Sequence, residues 1–531
     1  MTTHISFYED SGGRKGIFRW IGSTDHKRIG LLYFYSIAFF FLVAATLGVL
    51  MRLELISPGK TIMDAQRYNS FFTLHGVIMI FLFIIPGIPA VFGNFSLPLL
   101  LGAKDVAFPR LNLFSWYLYL TGAILALLTL VVGNGPPDTG WTFYAPYSVK
   151  TGTNVTMAVL AAFVLGFSSI LTGLNFLTTI HRMRAPGMTW FKMPLFAWAL
   201  YATSWIQVLA TPVVGITLLM IVAERALGIG LFDPSLGGDP VLYQHLFWIY
   251  SHPAVYIMVL PGMGVISEIL PVFSRRRIYG YKAIAFSSLA IAFIGYFVWG
   301  HHMFTSGMSE IARLIFSLLT FLVAVPSGIK VFNWLATIYK GSIDLKPPML
   351  FSLGFIFLFV IGGLTGLVLG ALATDVHVHD TYFVVAHFHF VMFGGTGFAF
   401  MAALHYWFPK IYGRMYNIKR ATVSFWVIIS GFMLLYFPMF ILGMMGMPRR
   451  YYDYLPEYQP LHVVSTVGSW ILITGLIMMI VNLVNGARRG EKAGRNPWNG
   501  LTLDWQTDTP PTTENFEEIP HVTEGPYEYK E

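Results

Sequence analysis

Eight of the 15 histidines fall within apolar stretches of the sequence or at the ends of such stretches. An ionisable side chain is costly to bury in an apolar segment, so each of these residues is a candidate functional group. A single histidine of this kind often makes only a hydrogen bond between helices, but their number favours a shared chemistry. The eight are His75, His245, His252, His301, His302, His387, His389 and His405.

His387 and His389 are two residues apart in a stretch that is predicted to be helical. Successive residues turn by about 100° around a helix, so these two side chains point to opposite sides and suit two different centres. His301 and His302 are adjacent and can both lean toward one ion, for which His252 is available as a further ligand. This pattern indicates two centres that flank one helix.

The sequence contains no cysteine, which excludes disulfides, iron–sulfur clusters and thiolate metal ligands. A site built from imidazoles alone suits copper or zinc. In a chain that is 16% aromatic, two centres on either side of a helix suggest a haem beside a second metal.

The elements that position these histidines are apolar helices. The chain of 531 residues is 55% hydrophobic and only 11% charged, with a mean hydropathy of +0.63. Runs of about 20 apolar residues are long enough to cross a bilayer, where helix is the expected state. We therefore predict an all-α polytopic membrane protein with about twelve transmembrane helices. The predicted spans are 29–53, 70–101, 112–134, 153–180, 193–224, 241–273, 283–307, 311–338, 349–373, 381–408, 422–445 and 464–487.

Most of the 34 lysines and arginines lie in the N-terminal arm, in every second connection and in the C-terminal tail. Because positive residues favour the cytoplasmic side, both termini are predicted to be cytoplasmic. The net charge of +8 then reflects topology, and nucleic-acid binding is not expected. The opposite connections hold Lys60, Arg67, Lys150, Arg449 and Arg450.

Three regions follow from this reading. Residues 1–28 form a cytoplasmic arm, residues 29–487 form the twelve-helix catalytic core, and residues 488–531 form a cytoplasmic tail. After Arg495 the tail is rich in Pro, Thr and Glu, so we expect it to be exposed.

Six motifs, spread in order over nearly the whole chain from about Ser23 to the twelfth span, resemble those of subunit I of the haem–copper terminal oxidases. They are TLHG from Thr73, QHLFWIYSHPAVY from Gln244, WGHHMF from Trp299, PSGIKVF from Pro326, HDTYFVVAHFH from His379 and GMPRRY from Gly446.

The resemblance implies two haems, each held by histidines of these motifs. His75 and His389 correspond to the axial ligands of a low-spin haem, and His387 corresponds to the single ligand of the high-spin haem that binds O2. Arg52 matches an arginine that meets the formyl group of haem A in relatives, which favours haem A.

The resemblance also implies a copper ion that faces the high-spin haem. Its ligands are expected to be His252, His301 and His302. Tyr256 matches the tyrosine that the family cross-links to the first of these histidines and that supplies an electron and a proton. We expect His245 and His405, which match no ligand position, to be structural.

Basic and acidic residues on the side opposite the termini complete the expected cofactor sites. Arg449 and Arg450 match a pair that binds haem propionates through charge-assisted hydrogen bonds, with Trp141 nearby. His379 and Asp380 match a magnesium or manganese site that a carboxylate of subunit II completes.

Two proton routes are implied. Lys330, within a span, matches the lysine of the K channel that leads to Tyr256, and Ser327 and Ser267 match hydroxyl positions on this route. Asp105, with Asn94 and Asn112 around it, matches the mouth of the D channel.

The chain departs from much of the family at the inner end of the D channel. Where many members have a glutamate, two residues after His252, this chain has Ala254. Tyr250 and Ser251 resemble the pair that replaces this glutamate in one branch of the family.

The expected function is that of the catalytic subunit of a terminal oxidase, which takes electrons from cytochrome c through a dinuclear copper centre in subunit II and translocates protons. Subunit III, small subunits and membrane lipid are expected partners, and a bacterial inner membrane is the expected location. A quinol oxidase on the same scaffold is the first alternative, although Arg67 and Ser70 stand where quinol-oxidising relatives have His and Gln. A secondary transporter with intramembrane histidines is the alternative from another class.

Overall fold

The computed structural model describes residues 5–10, 13 and 15–529, and within these residues no β-strand forms. Twelve helices are long and apolar enough to cross a membrane, which confirms the predicted all-α polytopic fold. They are α1 (His26–Glu54), α2 (Ala65–Leu101), α3 (Pro109–Leu128), α4 (Val155–Arg182), α5 (Leu195–Leu227), α6 (Pro240–Ser274), α7 (Tyr281–Met303), α8 (Glu310–Ile338), α9 (Pro347–Gly370), α10 (Tyr382–Tyr412), α11 (Ile418–Met444) and α12 (Pro456–Arg489).

Several helices begin a few residues earlier than their apolar stretches because their first turns are polar. The Asp25 side chain accepts hydrogen bonds from the backbone N–H groups of Lys27 (2.8 Å) and Arg28 (3.2 Å), so α1 starts at His26. The side chain of Asn417 accepts from the backbone N–H of Arg420 at the start of α11 (3.0 Å). Such caps satisfy N–H groups that have no partner within the helix.

The helices that carry the candidate ligands change their winding near those residues. A wide π-helical segment, Ile78–Ile84, follows His75 in α2, and a second one, Met392–Gly397, follows His389 in α10. The last turn of α7, Trp299–Met303, is instead a tight 3-10 turn. Departures of both kinds are frequent at functional sites.

Helices α2 and α6 form the centre of the molecule. In their most apolar windows 83% of α2 and 89% of α6 is buried, compared with 17% of α1 and of α8. His75 and His252 therefore stand on the two most enclosed helices, whereas α1 and α8 present apolar side chains outward.

The C-terminal tail is packed, so the expectation of an exposed tail is wrong. The indole of Trp498 donates to the carbonyl of Tyr406 in α10 (2.8 Å), and that of Trp505 donates to the hydroxyl of the same tyrosine (2.6 Å). The ammonium of Lys410 donates to the carbonyl of Thr507 (3.0 Å). Composition hides these contacts because the partners of the two tryptophans lie 92 and 99 residues away in the chain.

Candidate active site

Three histidines from two helices converge in the membrane core. His252 comes from the middle of α6, and His301 and His302 come from the tight last turn of α7. One ring nitrogen of each histidine lies within 4.8 Å of those of the other two. Among the described residues this is the only group of three or more His, Asp or Glu side chains close enough to hold a metal ion. The Nδ1 atom of His252 is 3.1 Å from the Nε2 atom of His302. The predicted convergence is therefore present, although a 3-10 turn, not an α-helix, presents the adjacent pair.

Neighbouring side chains fix the orientation of these imidazoles. The hydroxyl of Thr320 donates to the carbonyl of Phe316 (2.6 Å), so it accepts from the Nδ1–H of His301 (3.0 Å) and leaves Nε2 of that ring free. The indole of Trp248 stacks on His302 with ring centroids 3.7 Å apart and planes 8° from parallel. The Nε2 atom of His252 is buried and has no hydrogen-bond partner in the described part of the chain. Orientation by a second layer of contacts is typical of metal-binding histidines.

Tyr256 lies one helical turn after His252, as the sequence predicts, and their ring centroids are 4.9 Å apart. Gly295 of α7 faces the tyrosine ring so closely that a Cβ atom added there would stand 2.6 Å from the Cδ2 atom of Tyr256. The absence of a side chain at position 295 thus allows the phenol to lie beside the three histidines.

His75 and His389 face each other from α2 and α10. The Nδ1 atom of His75 lies 2.8 Å from the carbonyl oxygen of Ala44, and the Nδ1 atom of His389 lies 2.8 Å from that of Val385. A carbonyl only accepts, so both Nδ1 atoms carry the proton and both Nε2 atoms keep a free lone pair. The two rings are close enough to interact electrostatically, and Tyr436 stacks on His389 at 4.2 Å.

His387 lies on the side of α10 opposite to His389. Its Nδ1–H donates to the carbonyl of Gly362 in α9 (2.9 Å), which again leaves Nε2 as the free ligand atom. His387 lies close enough to His301 to interact with it electrostatically. The two histidines of α10 therefore face different centres, as the helical geometry predicts.

Arg52, at the end of α1, is anchored by one nitrogen only. Its Nη2 atom lies 3.1 Å from Nδ1 of His462 and donates to the His462 carbonyl (2.9 Å) and to the hydroxyl of Thr466 (3.3 Å). Its Nε and Nη1 atoms are buried without a partner in the described residues. Two unpaired guanidinium donors are costly in a protein interior, so they fit a polar group of a bound cofactor. His462 was not predicted from the sequence.

Arg450 and Trp141 lie together at the outer end of α2. The guanidinium carbon of Arg450 is 3.1 Å from the position that a Cβ atom added to Gly140 would take. The Cβ atom of Trp141 is likewise 3.1 Å from the position of a Cβ atom added to Gly76. Burial, together with the neighbouring Arg449 charge, lowers the pKa of Arg450 to about 10. The Nε atom of Arg449 is buried and unpaired among the described residues, so this pair also retains donors for an anionic group.

His379 and Asp380 form a charged group just before α10. Asp380 binds Arg449 at 2.5 Å, and His379 binds Asp375 at 2.8 Å. Burial would raise the pKa of Asp380, but Arg449 and His379 together hold it below its ordinary value. Burial would lower the pKa of His379, yet the hydrogen bond and the charge of Asp375 raise it. The Nε2 atom of His379 and the Oδ2 atom of Asp380 are 4.0 Å apart.

Lys330 is buried in the middle of α8. Its ammonium donates to the hydroxyl of Ser288 (2.7 Å) and to the carbonyl of Ile284 (3.0 Å), both in α7. The hydroxyl of Ser327 instead donates back to its own helix, and that of Ser267 accepts from Trp334. The hydroxyl that bonds the Lys330 ammonium is therefore that of Ser288, a residue that the expected route did not include. A pair of adjacent hydroxyl residues, Ser287 and Ser288, within an apolar span offered a signal for it.

Asp105 lies in the connection between α2 and α3, and its carboxylate accepts from the backbone N–H of Val106 (2.6 Å). Burial, followed by the charge of Asp25, raises the pKa of Asp105 to about 7. Asn112 lies in the first turn of α3, and both its side-chain polar atoms are buried without a partner in the described residues.

The hydroxyl of Ser115 donates to the carbonyl of Asn112 (2.7 Å) and lies 2.9 Å from the hydroxyl of Tyr33, so hydroxyl groups continue from α3 to α1. Tyr33, Ser168, Thr172 and Gln207 line one internal cavity, whose walls come from helices α1 to α5. The Oε1 atom of Gln207 lacks a partner among the described groups. Buried polar atoms of this kind are normally satisfied by internal water. These four residues were not predicted from the sequence.

Tyr250 and Ser251 of α6 are both buried. Tyr250 lies against Thr211, which follows Gln207 by one turn of α5. The hydroxyl of Ser251 has no partner in the described part of the chain.

The remaining two histidines of the apolar stretches make contacts of their own. His245 accepts a hydrogen bond from the indole of Trp299 (3.2 Å). His405 stacks on Phe351 and bonds the carbonyl of Met401 in its own helix (2.7 Å). Neither lies in the groups described above.

The arrangement of the twelve helices matches a solved oxidase. A cryo-EM structure of a heme-copper terminal oxidase dimer superposes with a TM-score of 0.72, covering 88% of this chain and 85% of that chain at 20% identity. At this identity the likeness concerns the fold alone. The fold of this chain is therefore that of a chain in a haem–copper terminal oxidase.

Sequence comparison then gives the family. A family model described as Cytochrome C and Quinol oxidase polypeptide I matches residues 28–471. Over 507 residues the chain is 47% identical to cytochrome c oxidase subunit 1 of Synechocystis sp., covering 95% of this chain and 92% of the relative. It is 44% identical over 508 residues to cytochrome c oxidase subunit 1 of Thermostichus vulcanus, covering 96% and 92%. The chain belongs to the cytochrome c and quinol oxidase polypeptide I family.

Family membership confirms the predicted oxidoreductase of the membrane and excludes the secondary transporter. It implies haem and copper as cofactors, and it implies partner subunits such as subunit II.

Proposed function

We propose that this chain is the catalytic subunit of a respiratory terminal oxidase that reduces O2 to water with electrons from cytochrome c and translocates protons. The observation that carries the proposal is the convergence of His252, His301 and His302 beside Tyr256, at the centre of a membrane protein of this family. When bound, the haems and copper supply the electron-transfer and O2-binding chemistry. The residues of the chain hold these groups and deliver protons.

The three converging imidazoles fit a copper ion. Nitrogen ligands stand about 2 Å from a comparable divalent ion, so ring nitrogens within 4.8 Å of one another can share one with small side-chain movements. No thiolate is available in the chain and no carboxylate belongs to the group, and an all-imidazole set suits copper. His252, His301 and His302 would hold the ion.

The free Nε2 atoms of the other histidines fit two haem irons. His75 and His389, which face each other from α2 and α10, would hold the low-spin haem. His387, directed toward the copper ligands, would hold the high-spin haem. This assignment is supported by the carbonyl partners that fix the proton on Nδ1 in all three rings.

The unpaired guanidinium atoms suit the polar edges of these haems. Arg449 and Arg450, with Trp141 beside them, would bind propionates. The buried Nε and Nη1 atoms of Arg52 would donate to a formyl oxygen, so haem A is the proposed haem type.

His379 and Asp380 would hold magnesium or manganese together with a carboxylate of subunit II. Asp380 is kept ionised by Arg449, which suits a cation ligand. The bond between Arg449 and Asp380 also links this group to the propionate-binding pair.

Two routes would bring protons inward. In the K route Lys330 releases its proton toward Tyr256, whose phenol supplies a proton and an electron, and Ser288 anchors the ammonium. In the D route protons enter at Asp105 and pass along the hydroxyl and amide groups to Tyr250 and Ser251, which stand where Ala254 leaves the family's glutamate absent.

The electron donor decides between two oxidases on this scaffold. Arg67 and Ser70 in place of His and Gln favour cytochrome c over quinol. The donor is tested by O2 consumption of the purified complex, supplied in turn with reduced cytochrome c and with a short-chain ubiquinol. Turnover with cytochrome c supports the proposal, and turnover with ubiquinol alone supports the quinol oxidase. If neither donor supports O2 consumption, both proposals are contradicted. Tyr256→Phe is the inactive control.

The proposal also covers the setting of the chain. Both termini, including the arm 1–28 and the tail 488–531, lie in the cytoplasm on either side of the core 29–487, in a bacterial inner membrane. Subunit II with a dinuclear copper centre passes electrons to the chain, and subunit III and small subunits complete the complex.

A further inference from the structure

The two ends of the chain meet over the connection that carries Asp105. Near the start of the chain, Phe7 donates its backbone N–H to the carbonyl of Pro511 (3.0 Å). The hydroxyl of Thr513 donates to the side chain of Asp10 (2.8 Å). Residues 511–515 therefore form part of a folded layer across the end of α1, here called the C-terminal clasp. The clasp is separated by almost the whole chain from the residues that it contacts.

Asn515 is the buried centre of the clasp, with 3% of its surface exposed. Its Oδ1 atom accepts from the ammonium of Lys27 (2.7 Å). Its Nδ2 atom lies within hydrogen-bond distance of Nε2 of His26 (2.8 Å) and of the carbonyls of Ala103 (2.9 Å) and Lys104 (3.0 Å). One side chain thus joins the first turn of α1 to the two residues that precede Asp105.

The other side of the same connection is held by α4. The backbone N–H of Ala107 donates to the hydroxyl of Thr179 (2.9 Å), and that of Phe108 donates to the side-chain oxygen of Asn175 (2.9 Å). Asp105 lies between these two anchors, so its position depends on both. The α4 anchor is intrinsic to the core, whereas the Asn515 anchor comes from the tail.

The groups that face Asp105 come from the start of α1. Asp25 and Lys27 act on it through their charges, and the backbone N–H of His26 donates to its carboxylate. Burial is the largest cause of the raised pKa of Asp105, with the Asp25 charge second. The α4 side contributes the uncharged Thr179 and Asn175. The protonation of Asp105 near neutral pH therefore depends on how closely its connection is held against α1.

We propose that Asn515 is a positioning residue that holds Asp105 at the proton entrance, so that the C-terminal tail completes the mouth of the D route. This inference rests on the proposed entry of protons at Asp105. In the intact oxidase the clasp keeps the carboxyl enclosed beside Asp25 and Lys27. Without the Asn515 side chain the connection 102–108 loosens on one side and Asp105 becomes more hydrated.

The test uses the whole oxidase complex and the pH dependence of its turnover and proton pumping. Asn515 has a φ of +64°, a left-handed conformation that glycine adopts without strain, so Asn515→Gly removes the side chain with little damage to the turn. Hydration should move the Asp105-dependent inflection of the pH profile down by about one unit. Asn515→Asp places an additional carboxylate in the cluster and should move the inflection up.

Two further variants, Glu514→Gln and Asp105→Asn, serve as controls. Glu514 reaches the same connection only through an exposed pair with Lys104, whose side chains are 67% and 58% exposed. Such pairs contribute little, so Glu514→Gln should keep the wild-type profile. Asp105→Asn should abolish the inflection and lower both turnover and pumping.

The outcomes distinguish the positioning role of Asn515 from the proposed proton entrance at Asp105. If Asp105→Asn behaves like the wild type, the proposed proton entrance is wrong. If Asp105→Asn is impaired but both Asn515 variants keep the wild-type inflection, the positioning role is refuted and the entrance stands. Hydrogen–deuterium exchange of residues 102–108 gives a readout without turnover. Exchange should rise in Asn515→Gly relative to Glu514→Gln, and unchanged exchange would also overturn the role.

Discussion

Gly295→Ala tests whether the position of Tyr256 controls activity. The added Cβ would stand 2.6 and 2.7 Å from the Cδ2 and Cε2 atoms of the tyrosine ring. Carbon atoms in contact are normally about 3.5–4.0 Å apart, so the ring or α7 must move by about 1 Å. Overpacking of this kind destabilises by about 1–3 kcal/mol. A displacement of about 1 Å in a reacting group can lower the rate by about 10²-fold.

The assay is O2 consumption by the purified complex, with haem and copper quantified on the same samples. Gly363→Ala is the matched control, because a Cβ at this glycine within a spanning helix meets no atom within 4 Å. We expect Gly295→Ala to lose about 10²-fold in turnover with full haem and copper content, and Gly363→Ala to stay at the wild-type rate. Equal turnover of the two variants would refute the argument that the phenol must occupy this position.

Three further predictions concern the ligands and the proton route. Lys330→Met should lower turnover by about 10²-fold or more while haem and copper still assemble, and a wild-type rate would show that Tyr256 draws its proton elsewhere. His389→Ala should remove the low-spin haem spectrum but keep carbon monoxide binding at the other haem; the reverse result would mean that the roles of the two α10 histidines are exchanged. His462→Ala should shift the visible band of the low-spin haem without loss of haem, because Arg52 loses one of its two side-chain partners, and an unshifted band would separate Arg52 from that haem.

The features that depend on local periodicity were predictable from the sequence. Helical geometry alone places His387 and His389 on opposite sides of α10, and the structure directs them toward His301 and His75 respectively. The twelve spans follow from apolar run length, with errors at polar first turns such as that of α1. The approach of His252 to His301 and His302 was inferred from chemistry and is present.

Contacts between distant segments were not predictable in this way. Ser288, which binds Lys330, lies on another helix, and no spacing rule relates the two positions. His26 and Asn515 are 489 residues apart. The composition of the tail indicated exposure, whereas Trp498 and Trp505 have specific partners in α10. Hydroxyl and amide residues within spans, such as Gln207, gave a signal of buried polarity but not of their shared cavity.

The measurement that tests the central claim most directly is quantification of haem and metals in the purified complex, for the wild type and for His302→Ala. The account predicts two haems in this chain, with one copper that depends on the His252, His301 and His302 group and is lost in the variant while both haems remain. Zinc in place of copper, retention of that copper in His302→Ala, or a wild-type chain that binds both haems and no copper would contradict it.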